Sequence, residues 1–328
     1  MTSTIVNADD VSLADAARRL RAGQLVAFPT ETVYGLGADA DNARAVQRIY
    51  TAKGRPASHP LIVHMADASQ AAHWSREIAP GAMRLAQAFW PGPLTLILPR
   101  AAHVNDVVTG GQDSVGLRVP SHPVAQRLLA AFADLGGHGI AAPSANRFGH
   151  VSATSAQHVA DDFGTAVSLI IDGGPADFGI ESTIVAFTGE RPVLLRPGAI
   201  DAAAIARVLG FEAAVPDDRA PRASGTLASH YAPTTRARLV APDLLLAELA
   251  QHLARDELVA VLARTVRKPE DFDAYWRAAP DDSEGYAREL YAALRALDAA
   301  HADSLLIEDV PDTTPWQAVR DRLTRATH

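Results

Sequence analysis

The chain contains no cysteine, and of its 30 basic residues only Lys53 and Lys268 are lysines. The absence of thiols excludes a disulfide framework, a thiolate nucleophile and any cysteine-ligated metal. No stretch approaches the ~20 apolar residues that a membrane-spanning helix needs. Residues 1–10 also lack the apolar centre of a secretory signal. Excess positive charge is missing too: at a net charge of −8 the surface as a whole repels nucleic acid and anionic lipid. Any polyanion site must therefore be a local pocket. There is no Gly-x-x-x-x-Gly-Lys phosphate loop and no Ser-His-Asp arrangement. What is present is 48% hydrophobic residues over 328 positions, enough for the cores of two domains. A soluble, cytoplasmic protein is the expectation.

Residues 12–22 predict a helix capped by Ser12 and stopped at Gly23, followed by a buried strand that ends at Pro29. Short apolar runs closed by turn residues predict strands at 61–65, 94–98, 115–119, 167–171, 182–187 and 192–196. Helical patterns lie between several of them, at about 42–51, 80–89, 122–133, 155–162 and 201–209. The interleaving implies an α/β domain over residues 1–210, and the short gap between 182–187 and 192–196 allows a hairpin, hence a mixed sheet. Residues 211–235 are rich in proline, glycine and polar side chains and read as a linker. Over 236–328 the β-α alternation resumes (strands 237–241, 257–262 and 303–308; helices 243–254, 284–300 and 315–324), which predicts a smaller α/β domain. It has no Gly-x-Gly-x-x-Gly fingerprint, so no dinucleotide is expected there.

In a chain that has nearly given up lysine, Lys53 calls for an explanation. It precedes Gly54-Arg55-Pro56 in a turn, and the pair Lys53/Arg55 reads either as an anion clamp or as a chance survivor on a loop, as Lys268 does. Arg118 and Arg196 sit at the margins of apolar strands, where a charge is costly unless a carboxylate of the protein or of a ligand meets it. His64, on an apolar strand, reads alone as a satisfied core histidine without metal-ligand spacing around it. Hydroxyls accompany these charges: Thr32 in Thr30-Glu31-Thr32, Ser144 in Ala142-Pro143-Ser144-Ala145-Asn146, Ser152 in a possible helix cap, and Ser182 entering a strand. Each segment alone is weak. Together they predict one polyanion-binding cleft that works by positioning and charge neutralisation, not by covalent chemistry.

In this order the segments Pro29–Gly37, Lys53–Pro56, Pro60–His64, Trp90–Thr95, Leu117–Pro120, Ala142–Asn146, Glu181–Thr183 and Arg196–Gly198 resemble the threonylcarbamoyl-AMP synthase family, the YrdC-like proteins, in its long two-domain form. The likeness covers residues 12–210, and His230–Pro233 matches the long-form linker. It implies a YrdC-like twisted mixed sheet with helices around a concave cavity, followed by a Rossmann-like α/β domain. The implied reaction joins L-threonine, bicarbonate and ATP into threonylcarbamoyl-AMP, with pyrophosphate and water released, for modification of the adenosine beside the tRNA anticodon.

The resemblance also implies roles. Threonine would be held by Thr32, His64, Arg118, the Ala142 backbone and Ser182; ATP by Lys53, Arg55, Ser144, Asn146, Ser152 and Arg196, with His59, Ser114 and Tyr231 beside them. Lys53 and Arg55 would be the catalytic cations. Mg²⁺ would come with ATP, and no metal ligand of the protein is expected. Residues 211–235 would form a lid over the site, and partner proteins of tRNA modification would receive the adenylate. Two departures stand out: His59 where the family usually has asparagine, and Ser224-Gly225-Thr226-Leu227 in place of the common Ser-Pro-Gly-Met. The rivals are an RNA-binding module using the same cationic concavity, and a carbamoyl-adenylate-forming transferase of the hydrogenase-maturation type. The second needs zinc-ligand pairs that a cysteine-free chain does not have.

Overall fold

The computed structural model describes residues 4–328. By contact the chain divides into two compact units. One comprises Met1–Phe148, Ser152–Asp177 and Glu181–Thr226; the other comprises Gly149–Val151, Phe178–Ile180 and Leu227–His328. The first unit runs β1 (Thr4–Asn7), α1 (Asp10–Arg21), β2 (Val26–Phe28), β3 (Gly35–Asp39), α2 (Ala43–Lys53), β4 (Ile62–His64), α3 (Ala71–Trp74), α4 (Pro80–Phe89), β5 (Leu94–Pro99), α5 (Asp106–Thr109), β6 (Ser114–Arg118), α6 (Pro123–Asp134), β7 (Ile140–Ala141), α7 (Ala156–Phe163), β8 (Leu169–Asp172), β9 (Thr183–Ala186), β10 (Val193–Arg196) and α8 (Ala202–Leu209). Its ten strands form one mixed sheet in the order β1-β8-β2-β3-β7-β4-β6-β5-β9-β10. The β9/β10 pair is the antiparallel hairpin expected from its short gap.

Helix ends follow local chemistry, with two corrections. Asp9, not Ser12, caps α1: its Oδ1 accepts from the Ser12 backbone N–H at 2.8 Å, and the helix begins two residues earlier than predicted. Ser155, not Ser152, caps α7. Helix α2 starts on Asn42, whose side chain accepts from Arg44 and Ala45 N–H. It ends at Gly54, whose φ of 65° is the left-handed cap that glycine takes without strain. Lys53 is therefore the last residue of a helix, not part of a free turn.

Paired strand residues point to the same side, so register sorts the side chains into two faces. One face carries Ala27, Leu36, Ala38, Val63, Leu96, Leu117, Ala141 and Val185, buried in one continuous core with residues of α2 and α4. On the other face α1 and α6 cover only part of the sheet: Leu13, Ala17, Leu20, Leu128 and Phe132 pack on Val26, Phe28, Ile140, Ala142 and Leu169. Beyond Ile140 the same face continues through its partner His64, then Arg118, and on across β5 to β9. There the apolar helix cover stops. This half-covered face positions the site.

In the second unit, β11 (Ala237–Val240), α9 (Leu245–Leu253), β12 (Val259–Ala263), β13 (Trp276–Ala278), α10 (Ser283–Asp298), β14 (Ser304–Glu308) and α11 (Gln317–Ala326) build a four-stranded parallel sheet in the order β11-β14-β12-β13. No helix among the described residues is long and apolar enough to cross a membrane.

Candidate active site

Register brings Ile62 and His64 of β4 beside Gly116 and Arg118 of β6, with Thr95 and Ile97 of β5 and Ile184 of β9 continuing the row. The polar members, His64, Thr95 and Arg118, are all buried. Arg118 is only 4% exposed, and its partners explain how it tolerates burial. It donates to Glu31 Oε1 at 2.7 Å, to Thr32 Oγ1 at 2.9 Å and to the Gly92 carbonyl at 3.3 Å. The carboxylate required by a buried arginine is thus Glu31, which the sequence showed beside Thr32 but gave no role. Burial pushes the Glu31 carboxyl upward; the charge and hydrogen bond of Arg118 outweigh it and leave the group below its ordinary range.

A guanidinium has five N–H donors, so Arg118 retains two beyond these contacts. Two further atoms nearby are buried and unsatisfied by the protein, Glu31 Oε2 and His64 Nδ1. Burial, reinforced by Arg118, pushes His64 down to about 3. His64 is therefore a neutral hydrogen-bonding group at physiological pH and not a general acid or base. Buried polar atoms that the fold leaves unpaired cost stability and are open to a ligand or to water.

The second arm of the cluster is Arg196, 2% exposed, whose guanidinium donates to the Ser182 carbonyl at 2.9 and 3.1 Å, to Ser182 Oγ at 3.2 Å and to the Ser224 carbonyl at 2.7 Å. Ser182 Oγ in turn lies 2.8 Å from Thr95 Oγ1. Gly198 permits this arrangement, because a Cβ there would stand 2.4 Å from the Thr183 nitrogen. The start of the linker packs on this sheet face: Ala220 and Ala223 join Ile97, Ile184 and Leu195, and Ser224 lines one cleft with Pro60, Ile62, Thr95 and Ser114.

Lys53, the last residue of α2, is buried where the charges of Arg55 and Glu181 act on it. Its Nζ donates to the carbonyls of Ser144, at 2.6 Å, and Asn146. Among the described residues no carboxylate lies within ion-pair distance of it. Burial, and then the neighbouring Arg55 charge, hold its ammonium well below the usual lysine range. Arg55 donates to the Pro60 carbonyl at 2.9 Å and lies over the Phe148 ring, against which His59 also packs. Ser152 does not cap a helix; its hydroxyl donates to Glu181 Oε1 at 2.6 Å. The Ala142 N–H is taken by the Ile62 carbonyl, so a ligand contact from Ala142 must use another group.

Of the fourteen residues singled out from sequence, thirteen (Thr32, Lys53, Arg55, His59, His64, Ser114, Arg118, Ala142, Ser144, Asn146, Ser152, Ser182 and Arg196) belong to the first unit; Lys53 and Arg55 stand at a helix end and in the segment after it, and Thr32 in a loop. Tyr231 belongs to the second unit, where it is buried with φ of 62° beside the rings of His230 and Tyr291 and under Arg322. Glu31, Thr95 and Glu181 were missed. Only the demand of Arg118 for a carboxylate signalled the first, and nothing local signalled the others.

A family profile described as "Telomere recombination" matches residues 18–198, and one described as "Threonylcarbamoyl-AMP synthase, C-terminal domain" matches 200–327. A threonylcarbamoyl-AMP synthase of Pyrococcus abyssi is 39% identical over 328 residues, covering 95% of this chain and 92% of that protein. One of Bacillus subtilis is 39% identical over 331 residues, covering 98% and 94%. The crystal structure of P. abyssi Sua5 complexed with L-threonine superposes with a TM-score of 0.91 at 39% identity, over 99% of this chain and 98% of that one.

Proposed function

Because the chain belongs to the threonylcarbamoyl-AMP synthase family, we infer that its buried cationic cleft joins an amino acid to the adenylyl part of ATP. The protein is an ATP-dependent threonylcarbamoyl-AMP synthase, a transferase serving tRNA modification. The observation that carries the reading is the set of buried cations Lys53, Arg55, Arg118 and Arg196 in one unit of an acidic protein, next to polar atoms the fold does not satisfy. The RNA-binding alternative has no comparable support.

The proposed chemistry is a two-step transfer. Bicarbonate takes up a proton and loses water to give CO₂; the threonine amine nitrogen then forms a bond to its carbon, giving back that proton and leaving a carbamate. A carbamate oxygen then attacks the α-phosphorus of ATP while the bond to pyrophosphate breaks. In this scheme the two remaining donors of Arg118 take the threonine carboxylate, and Thr32, neutral His64 and Ser182 orient the amino acid. Glu31 Oε2 is the acceptor for its nitrogen. Lys53, Arg55 and Arg196 neutralise the triphosphate, helped by Asn146, Ser144, Ser114, Ser152 and His59. The cleft carboxylates Glu31 and Glu181 already accept from Arg118 and Ser152, so Mg²⁺ would enter held by phosphate oxygens and water. The first part of the linker, where Ala220, Ala223 and Ser224 pack on the sheet face, acts as a lid over the cleft. The cytoplasm, where tRNA is modified, is the proposed location.

Incubation of the full chain with ATP, Mg²⁺, bicarbonate and a panel of amino acids tests this. Pyrophosphate release that depends on threonine and bicarbonate is expected; equal release with serine or valine, or none with threonine, refutes it.

A further inference from the structure

On the first unit, outside the cleft, three side chains far apart in sequence converge. Asp41 follows β3, His73 lies on α3, and His138 stands two residues before β7. Asp41 Oδ1 is 3.2 Å from His73 Nε2, and its Oδ2 is 2.8 Å from His138 Nδ1. The two imidazoles stack with centroids 3.8 Å apart at 11°, and the His103 ring stands 4.6 Å from that of His73. Among the described residues this is the one trio of metal-ligating types whose ligand atoms all fall within 4.8 Å of one another. We propose that Asp41, His73 and His138 form a binding site for one divalent first-row transition-metal ion, of which Zn²⁺ is the type.

The donor set selects the ion. Two imidazole nitrogens and one carboxylate suit zinc, nickel or cobalt, whereas Mg²⁺ and Ca²⁺ prefer oxygen throughout. Ligand atoms at about 2.1 Å from a tetrahedral ion stand roughly 3.4 Å apart, so the present geometry needs only small side-chain adjustments. Three protein ligands leave one position for water or for His103. The scaffold behind the ligands is already fixed. The Asp41 N–H donates to Asp39, which pairs with Arg21 at 2.5 Å. The Ala40 N–H donates to the Gly139 carbonyl, and Trp74 Nε1 donates to the His138 carbonyl at 3.2 Å. None of the three ligands bonds to Lys53, Arg55, Arg118 or Arg196. An ion here would tie the end of β3 and α3 to the segment entering β7, whose Ile140 pairs with His64.

Titration calorimetry of the full chain with Zn²⁺ alone is the test. We expect one equivalent bound, undiminished by excess Mg²⁺, and a higher melting temperature with Zn²⁺. His138→Ala and His73→Ala, each checked for an unchanged circular dichroism spectrum, should weaken binding by about 100-fold and abolish the thermal shift. Their threonine-dependent pyrophosphate release with Mg²⁺ and without added Zn²⁺ should stay at the parent level. Co²⁺ should give visible ligand-field bands in the parent and not in the variants. The absence of saturable Zn²⁺ uptake, or uptake that survives both substitutions, overturns the site.

Discussion

In the first unit Lys53 is buried against two carbonyls with its ammonium depressed, and Glu31 and His64 each keep a buried polar atom without a protein partner. In the second, the comparably buried Glu308 is saturated. Its carboxylate accepts from the backbone N–H groups of Arg264, Thr265 and Val266 and from the Thr265 hydroxyl. Asp298 likewise accepts from the N–H groups of Thr234 and Thr235. Both units are α/β sheets that bury charge. Around Arg118 the first unit leaves hydrogen-bonding capacity unpaired, whereas at Glu308 and Asp298 the second spends its carboxylates on closing its own loops, although Arg264 Nε and Tyr286 OH there are also buried without a partner. Successive N–H groups at the end of β12 would make an anion site, but Glu308 already fills it. The proposed chemistry sits in the first unit, where unpaired Glu31 and His64 atoms accompany the buried cations.

The contrast can be broken at its strongest point by Lys53→Ala. Loss of a preorganised cation at a developing charge should lower kcat/KM for ATP about 100–1000-fold. The Ser144 and Asn146 carbonyls lose a donor, at a cost of about 1–3 kcal/mol in stability, so the larger loss should be in turnover. Steady-state pyrophosphate release beside a denaturant melt reads both quantities, and a large loss of stability with intact turnover would reverse the assignment. Glu308→Ala should do the opposite. Several N–H groups lose a charged acceptor, costing about 3 kcal/mol, with activity per folded molecule retained; activity lost at unchanged stability would show that the second unit is not merely self-satisfied. The smallest effect concerns His64. Unfolded, it takes a proton near 6.5; folded, near 3. Between those values the unfolded state binds more protons, so stability should fall as pH falls, by up to about 1.4 kcal/mol per unit. Denaturant midpoints at pH 6 and 5 should show a shallower loss in His64→Gln than in the parent.

Much of the fold was legible because its signals are local. The helix at 80–89 opens on proline and repeats apolar residues at helical spacing, and Pro80–Phe89 is the helix found. Strands β5, β6, β9 and β10 are short apolar runs and lie where those runs lie. Gly35–Asp39 was missed because Gly-Leu-Gly-Ala-Asp carries little strand propensity. It is a strand because Gly35 and Gly37 give the Phe28 ring room between β2 and β3. Trp276–Ala278 is a three-residue edge strand with equally little pattern. At the site, residue types were readable and partners were not: Ser152 looked like a cap and proves to be bonded to Glu181, 29 positions away.

The sequence by itself determined the alternation of elements and the family and singled out the candidate cations and hydroxyls, since these are written in composition, spacing and ordered short segments. Only the tertiary structure decided that Glu31 answers Arg118, that Arg196 spans Ser182 and Ser224, and that Asp41, His73 and His138 share one point. Such pairings depend on strand register and on which face each residue takes. A one-residue slip would send every side chain of a strand to the opposite side, and nothing in the neighbourhood of a single residue reports that choice.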